Sequence, residues 1–175
     1  MNNLSTYLTE KLHLNKDIKS VYNYQPKDKK ELKSLIKKLI EERGNDADLN
    51  DIDVSKVTEM YRLFYKSEFN GDISRWDVSN VKYMDKMFSD SKFNGDISNW
   101  DVSNVEDMNS MFFNSKFNGD ISKWDVSKVE NMEWMFNGSD FNGDISSWNV
   151  SNVINMLEMF MYSPLEKNPP SWYHE

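Results

Sequence analysis

The sequence predicts an α/β repeat fold: a β/α solenoid of 24-residue strand–helix units with a helical N-terminal cap. The main observation is a fixed period, because phenylalanine, tryptophan and methionine each return every 24 residues along most of the chain. Such a period is the signature of stacked repeats. The series are Phe69, Phe93, Phe117 and Phe141; Trp76, Trp100, Trp124 and Trp148; and Met84, Met108, Met132 and Met156. A second observation is that each unit has a strand-like half followed by a helix-like half.

The first half of each unit predicts a short strand. It reads Ile-x-x-Trp-x-Val, as in Ile97, Trp100 and Val102. Tryptophan and valine lie two positions apart, on one side of an extended strand, and both residue types favour strands. We therefore expect the tryptophans to form one buried column, and we favour this over a role in stacking against sugars.

The second half of each unit predicts a short helix. Apolar residues such as Val105, Met108 and Met111 recur at the spacing of one helix face. Ser103 followed by Glu106 fits a capping box, in which the hydroxyl and the carboxylate bond free amides of the first turn. An Asn-Gly loop then returns the chain to the next strand, with a positive φ expected at the glycine.

The chain divides into four parts. A helix is predicted in the cap because Asp28 and Gly44 bracket an apolar stripe at helical spacing. The parts are an N-terminal segment interpreted as a docking peptide (1–20), an N-terminal cap (21–48, with its helix over 28–43), five strand–helix units (49–163), and a degenerate closing strand that forms the C-terminal cap (164–175).

Charge and composition limit the functional classes. The net charge is −8, yet residues 1–44 carry ten basic against six acidic side chains, and the rest carries eleven against twenty-three. An acidic array repels phosphates, so nucleic acid is not an expected ligand. The sequence shows no cysteine, no signal peptide and no apolar run of membrane-spanning length. We therefore expect a cytoplasmic protein that does not insert into membranes.

The repeated aspartates are the sharpest candidates for chemistry. Each carboxylate either accepts hydrogen bonds from turn amides, as in an Asx turn, or shares a calcium ion with the next loop. We expect the first, and hence neither a metal nor another cofactor. Asparagines such as Asn94 are interpreted as a hydrogen-bonded ladder between loops. The aspartates that follow the loop glycines are Asp72, Asp96, Asp120 and Asp144.

No catalytic set is predicted. The two histidines, His13 and His174, lie outside the repeats, so a Ser-His-Asp arrangement cannot be assembled from the repeated serines. A glycine-rich loop of the kind that binds phosphate is also absent from the sequence. The residues therefore favour a binding protein over an enzyme.

The outward side of the predicted strands is the best candidate for partner recognition. A strip across five strands is about 20 Å long and, at an assumed width of about 15 Å, offers roughly 300 Å². A stable interface takes about 800 Å² from each partner, so the partner must also touch the loops or the basic cap helix. The candidate residues are Arg75, Asn99, Lys123 and Ser147, with Asp77, Asp101, Asp125 and Asn149.

The repeat motif occurs in four copies, as Phe-Asn-Gly-Asp-Ile-Ser-x-Trp-(Asp/Asn)-Val-Ser-x-Val-x-x-Met-x-x-Met-Phe. It resembles the BspA-like leucine-rich-repeat proteins, whose repeats are also called Mycoplasma lipoprotein-associated repeats of unknown function. The likeness covers about residues 26–175 and implies a leucine-rich-repeat-like fold. Many members of that family look like secreted or surface adhesins. Residues 1–20 resemble short leaders on some bacteriophage proteins.

The sequence thus predicts a non-catalytic protein–protein interaction module, expected to be a monomer that binds a protein partner. Two alternatives stay open. One is an acidic inhibitor or mimic, encoded by a bacteriophage, that blocks a basic site on a nucleic-acid enzyme. The other is a bacterial surface adhesin, which would need an export route that the sequence does not show.

Overall fold

The computed structural model describes residues 22–174. The segment interpreted as a docking peptide, residues 1–20, lies outside this range. Within the range, the regular elements are one α-helix, α1 (Lys29–Arg43), and one 3₁₀-helix (Pro164–Glu166). Pairing between extended residues is limited to isolated parallel bridges, so these residues form no strand. Most of the described chain is built from turns.

Helix α1 covers the predicted stretch 28–43 except for its first residue. That residue, Asp28, is the N-cap and accepts a hydrogen bond from the Glu31 N–H at 2.9 Å. Gly44 follows the last turn at φ 90°, a conformation that favours glycine. One face of the helix is buried in the common core through Leu32, Ile36 and Leu39.

The predicted leucine-rich-repeat-like β/α solenoid of strand–helix units is wrong. Within residues 22–174 the units contain neither strands nor α-helices, and single parallel bridges join each unit to the next. One column of bridges runs through Glu59, Tyr83, Asp107, Asn131 and Asn155, at steps of one repeat. The units therefore stack in the register of the sequence period. They are numbered 1 to 5 and cover 49–72, 73–96, 97–120, 121–144 and 145–163.

The half of each unit that was predicted to be a helix consists of consecutive β-turns, and these turns account for the spacing of its apolar residues. In unit 2, the Met87 N–H donates to Met84 O at 3.1 Å, and the Ser91 N–H donates to Phe88 O at 3.2 Å. All four of these residues are buried. A turn with both ends in the core has the same three-residue spacing as one face of a helix.

Left-handed residues exclude a helix from this half of the unit. The third residue of each turn has a positive φ, as at Lys86 and Asp90, both 56°. This conformation costs an L-residue about 1–2 kcal/mol, and a right-handed helix cannot pass through it. The predicted helices and the capping box at Ser103 therefore do not form. The left-handed rows are Arg62, Lys86, Ser110, Trp134 and Glu158, and Lys66, Asp90, Asn114, Gly138 and Tyr162.

The half predicted as a strand also consists of turns. In unit 3, the Trp100 N–H donates to Ile97 O at 3.1 Å, which closes a turn. The Ser103 N–H then donates to Asp101 Oδ1 at 3.1 Å, which bends the chain again. The closing strand predicted for 164–175 is likewise not formed by the described residues, which have the 3₁₀-helix there.

The tryptophan column is buried, as predicted. Each of its indoles is at most 5 % exposed from unit 2 to unit 5. Each indole N–H also donates to a carbonyl 27 residues earlier, as Trp100 does to Ile73 O and Trp124 does to Ile97 O, both at 3.1 Å. The tryptophans therefore fill the core and hold each unit to the preceding one.

Phenylalanine columns fill the rest of the core. The rings of Phe88 and Phe93 stack at a centroid distance of 4.3 Å, and the Phe93 ring lies 6.3 Å from Phe117 in the next unit. This packing requires the loop glycine, because a Cβ on Gly95 would lie 2.9 Å from the Phe93 ring. The positive φ expected at the loop glycine is wrong for Gly95.

Candidate functional site

The residues predicted to bind a partner lie on turns, since the strands that were to carry them do not form. All eight are exposed. Arg75 reaches back to Asp48, with 3.8 Å between Nη2 and Oδ2. They form two rows of equivalent positions, with one residue from each of units 2 to 5. The first row is Arg75, Asn99, Lys123 and Ser147, and the second is Asp77, Asp101, Asp125 and Asn149. Their role in binding stays a prediction.

The loop aspartates form Asx turns, as expected. The Ser98 N–H donates to Asp96 Oδ1 at 2.9 Å, and the Ser122 N–H donates to Asp120 Oδ1 at the same distance. These backbone hydrogen bonds favour the charged carboxylates, so each pKa in the row lies below the ordinary value of aspartic acid. The result is an exposed acidic row made of Asp72, Asp96, Asp120 and Asp144.

Neighbouring loops are also joined by the predicted asparagine ladder. The Asn118 N–H donates to Asn94 Oδ1, and the Asn142 N–H donates to Asn118 Oδ1, each at 2.8 Å. Within residues 22–174, acidic and histidine side chains form no group of three or more that could hold a metal ion. The same part of the chain has no helix long and apolar enough to cross a membrane.

A groove of about 700 Å³ lies between α1 and unit 1. Its apolar residues are Ile36 and Ile40 from the helix, and Leu63 and Phe64 from unit 1. Its basic residues are Lys29, Lys30, Lys33 and Lys37 from the helix, and Lys66 from unit 1. The groove therefore combines an apolar floor with a basic rim.

Helix α1 is tied to unit 1 at two places. Near its C-terminus, Arg43 donates two hydrogen bonds to the carboxylate of Asp51, each at 3.0 Å. This pairing lowers the pKa of the Asp51 carboxyl. In the first half of the helix, Lys33 Nζ donates to Arg62 O at 3.2 Å. The groove is thus held by contacts between two well-packed parts of the fold.

Positive charge is concentrated next to an exposed aromatic ring. The Lys66 ammonium lies 5.1 Å and the Arg62 guanidinium 5.5 Å from the centroid of Tyr65, which lines the groove. The one carboxylate among the lining residues, Glu41, lies 3.9 Å from the Lys37 ammonium. The groove is therefore strongly basic on a protein whose net charge is −8.

The groove is not predictable from the repeat pattern. The sequence predicts a basic cap helix, but not where this helix docks. A usable signal lies in unit 1, which has Tyr61 and Lys66 where unit 2 has Asp85 and Asp90. Aromatic and basic residues at outward positions of one unit indicate a local contact or binding surface.

Comparison with known families matches residues 30–140 and 113–173 to the family described as Mycoplasma protein of unknown function, DUF285. The chain belongs to this family. The two matches overlap and span nearly all of α1 and all five units, so the predicted relation to Mycoplasma-associated repeats is confirmed at this level. No curated protein and no solved structure matches the chain. The description of this family assigns it no function.

Proposed function

We propose that the protein is a non-catalytic protein-binding module whose groove between α1 and unit 1 takes an acidic, amphipathic segment of a partner protein. The composition of the groove supports this proposal, because five lysines surround an apolar floor. An apolar side chain of the partner would be buried on the floor, while carboxylates beside it would meet the lysines. Opposite charges of this kind raise the association rate and select the partner.

The groove serves as an anchor site and not as a whole interface. Its volume of about 700 Å³ falls in the range of pockets that bury a drug-sized group. A stable protein interface takes about 800 Å² from each partner, which is more than one groove supplies. We propose that the eight exposed residues between Arg75 and Asn149 supply further contact area.

A library of random displayed peptides tests the groove without knowledge of the partner. We expect the selected peptides to be rich in Asp and Glu and to contain an aromatic or leucine side chain. Synthetic copies should bind the full chain, and their affinity should fall as the salt concentration rises, because exposed charges are screened. Selection of neutral or basic peptides would contradict the proposal.

Charge reversal identifies the binding surface. Lys30→Glu combined with Lys37→Glu should weaken peptide binding by roughly tenfold or more, because attraction is replaced by repulsion. Lys33 is kept, since its ammonium also holds α1 to unit 1. Lys38→Glu is the matched control, since Lys38 is on the same helix but does not line the groove. It should change the affinity by less than about twofold. Equal losses in both variants would show that the effect is general and not local.

A second candidate function is an acidic inhibitor or mimic that blocks a basic site on a nucleic-acid enzyme. It is favoured by the exposed aspartate row, whose Asx-turn hydrogen bonds lower the pKa of each carboxyl. The test is competition with DNA for a basic nuclease. The variant for this test combines Asp96→Asn with Asp120→Asn. Each asparagine keeps the side-chain oxygen that accepts the Asx-turn hydrogen bond, while two negative charges are removed. If this candidate is right, the variant should compete much more weakly than the wild-type protein.

At a finer level than the family match, we propose that the repeats are of the BspA-like kind. The four copies of the motif support this proposal. An adhesin function, which that resemblance implies, would place the protein on a cell surface. We propose instead a cytoplasmic monomer without a cofactor. Fractionation of cells that express a tagged chain distinguishes the two locations.

A further inference from the structure

Each unit is held to the next by a row of backbone amides. The row is complete between units 4 and 5, where the Met132 N–H donates to Asn155 O at 2.8 Å and the Trp134 N–H to Leu157 O at 3.0 Å. The next amide of the row, Phe136 N–H, donates across the same boundary at 2.9 Å. Parallel pairing at alternate residues is thus how one unit recognises the following one.

The same row is unpaired on the outer edge of unit 5. Of its amides, those of Met156 and Glu158 meet no acceptor within residues 22–174. Phe160 is 1 % exposed, and the Tyr162 N–H donates to Glu166 Oε2 at 3.2 Å, so the far end of the row is covered. The other half of this edge is covered, because Trp172 stacks on Trp148 at 6.4 Å and its indole donates to Ile145 O at 3.0 Å. The amides of Met156 and Glu158 are thus the part of the row that the described chain leaves unpaired.

Apolar side chains surround this open edge. Ile154, Leu157 and Tyr162 are 83 %, 58 % and 72 % exposed. In unit 4 the equivalent positions are Glu130, Glu133 and Gly138, which suit contact with water. A groove of about 610 Å³ runs along the edge and is lined by Ile154, Met156, Leu157, Met161 and His174, among others.

We propose that this edge binds an extended segment of a partner protein that runs parallel to residues 154–158. The backbone amides require carbonyls at alternate residues, which a polypeptide supplies and a small molecule does not. The partner segment should carry apolar residues (Φ) in the spacing Φ-x-x-Φ-x-x-Φ-Φ. This is the pattern with which each unit of the stack covers the unit before it. The site is separate from the groove beside α1, so it does not rest on the function proposed above.

A peptide with the sequence of residues 127–139 is a suitable probe. It corresponds to the part of unit 4 that covers unit 3, and it contains Val129, Met132, Met135 and Phe136 in the required spacing. We expect a fluorescent copy to bind the full chain saturably, and a scrambled copy of the same composition to bind much more weakly. Amide exchange measured by NMR should slow at Met156 and Glu158 when the peptide is added.

Substitution of the exposed apolar residues checks the location. Ile154→Lys with Leu157→Lys should weaken peptide binding by about tenfold or more, because two buried apolar contacts are lost. Tyr83→Lys is the control, since Tyr83 is an exposed apolar residue in unit 2. It should leave the affinity within about twofold. Equal binding of the scrambled peptide, unchanged amide exchange, or equal loss in both variants would overturn the proposal.

Discussion

Replacement of Trp124 by alanine should strongly destabilise the protein. The indole is 4 % exposed, lies 6.3 Å from the ring of Phe112, and donates to Ile97 O at 3.1 Å. Truncation of a core tryptophan costs about 3–5 kcal/mol. The lost hydrogen bond accounts for about 0.5–1.5 kcal/mol of this cost. We expect a value near the lower limit, because Ile97 O still accepts a hydrogen bond from the Trp100 N–H and is not left unsatisfied. Most of the cost therefore comes from lost packing.

Urea denaturation followed by far-UV circular dichroism measures this loss. Thermal denaturation gives a second measure, because a loss of about 3–5 kcal/mol in a protein of this size corresponds to a fall in Tm of roughly 6–20 °C. Trp134→Ala is the matched control, because Trp134 is 37 % exposed and its indole donates to Glu158 Oε2 at 3.1 Å. It should cost less than about 1 kcal/mol. A loss below about 1 kcal/mol for Trp124→Ala, or equal losses for both variants, would refute the buried column.

Two further predictions concern the loops. Gly119→Ala should destabilise by about 1–3 kcal/mol, because its Cβ would lie 2.9 Å from the buried ring of Phe117; an unchanged urea midpoint would contradict this. Stability should also fall in acid. The carboxyls of Asp96, Asp120 and Asp144 have a lowered pKa in the folded state, so their stabilisation is fully present above the unfolded value of about 3.9 and is lost as the pH falls through the folded pKa. Urea midpoints should be flat from about pH 6 to 5 and fall below about pH 4, and Asp96→Asn should make the fall shallower.

The register of the repeats was predictable, but their secondary structure was not. Spacing such as Val105, Met108 and Met111 fits one face of a helix, and it fits equally well a series of turns whose ends are buried. The sequence did contain a distinguishing feature. Asn114 and Gly138 occupy the same place in successive units, and both residue types accept the left-handed conformation that ends a helix.

The sites were predictable only where they depend on short-range bonds. The Asx turn at Asp96 follows from a serine two residues later, and the buried tryptophans follow from the period. The basic groove depends on how α1 docks on unit 1. That arrangement is set by tertiary contacts such as Arg43 to Asp51, which no periodic pattern encodes.

The constant register of the bonds between units limits how the length of the protein can change. The asparagine ladder joins residues 24 apart, as in Asn118 and Asn94, and the indole bonds join residues 27 apart, as in Trp124 and Ile97. Insertion of one residue inside a unit changes the spacing of every bond that crosses it, so the donors after it no longer meet the acceptors before it. Gain or loss of a whole unit leaves each donor with an equivalent acceptor. Recombination between the repeats would therefore yield foldable proteins that differ in length by multiples of 24 residues.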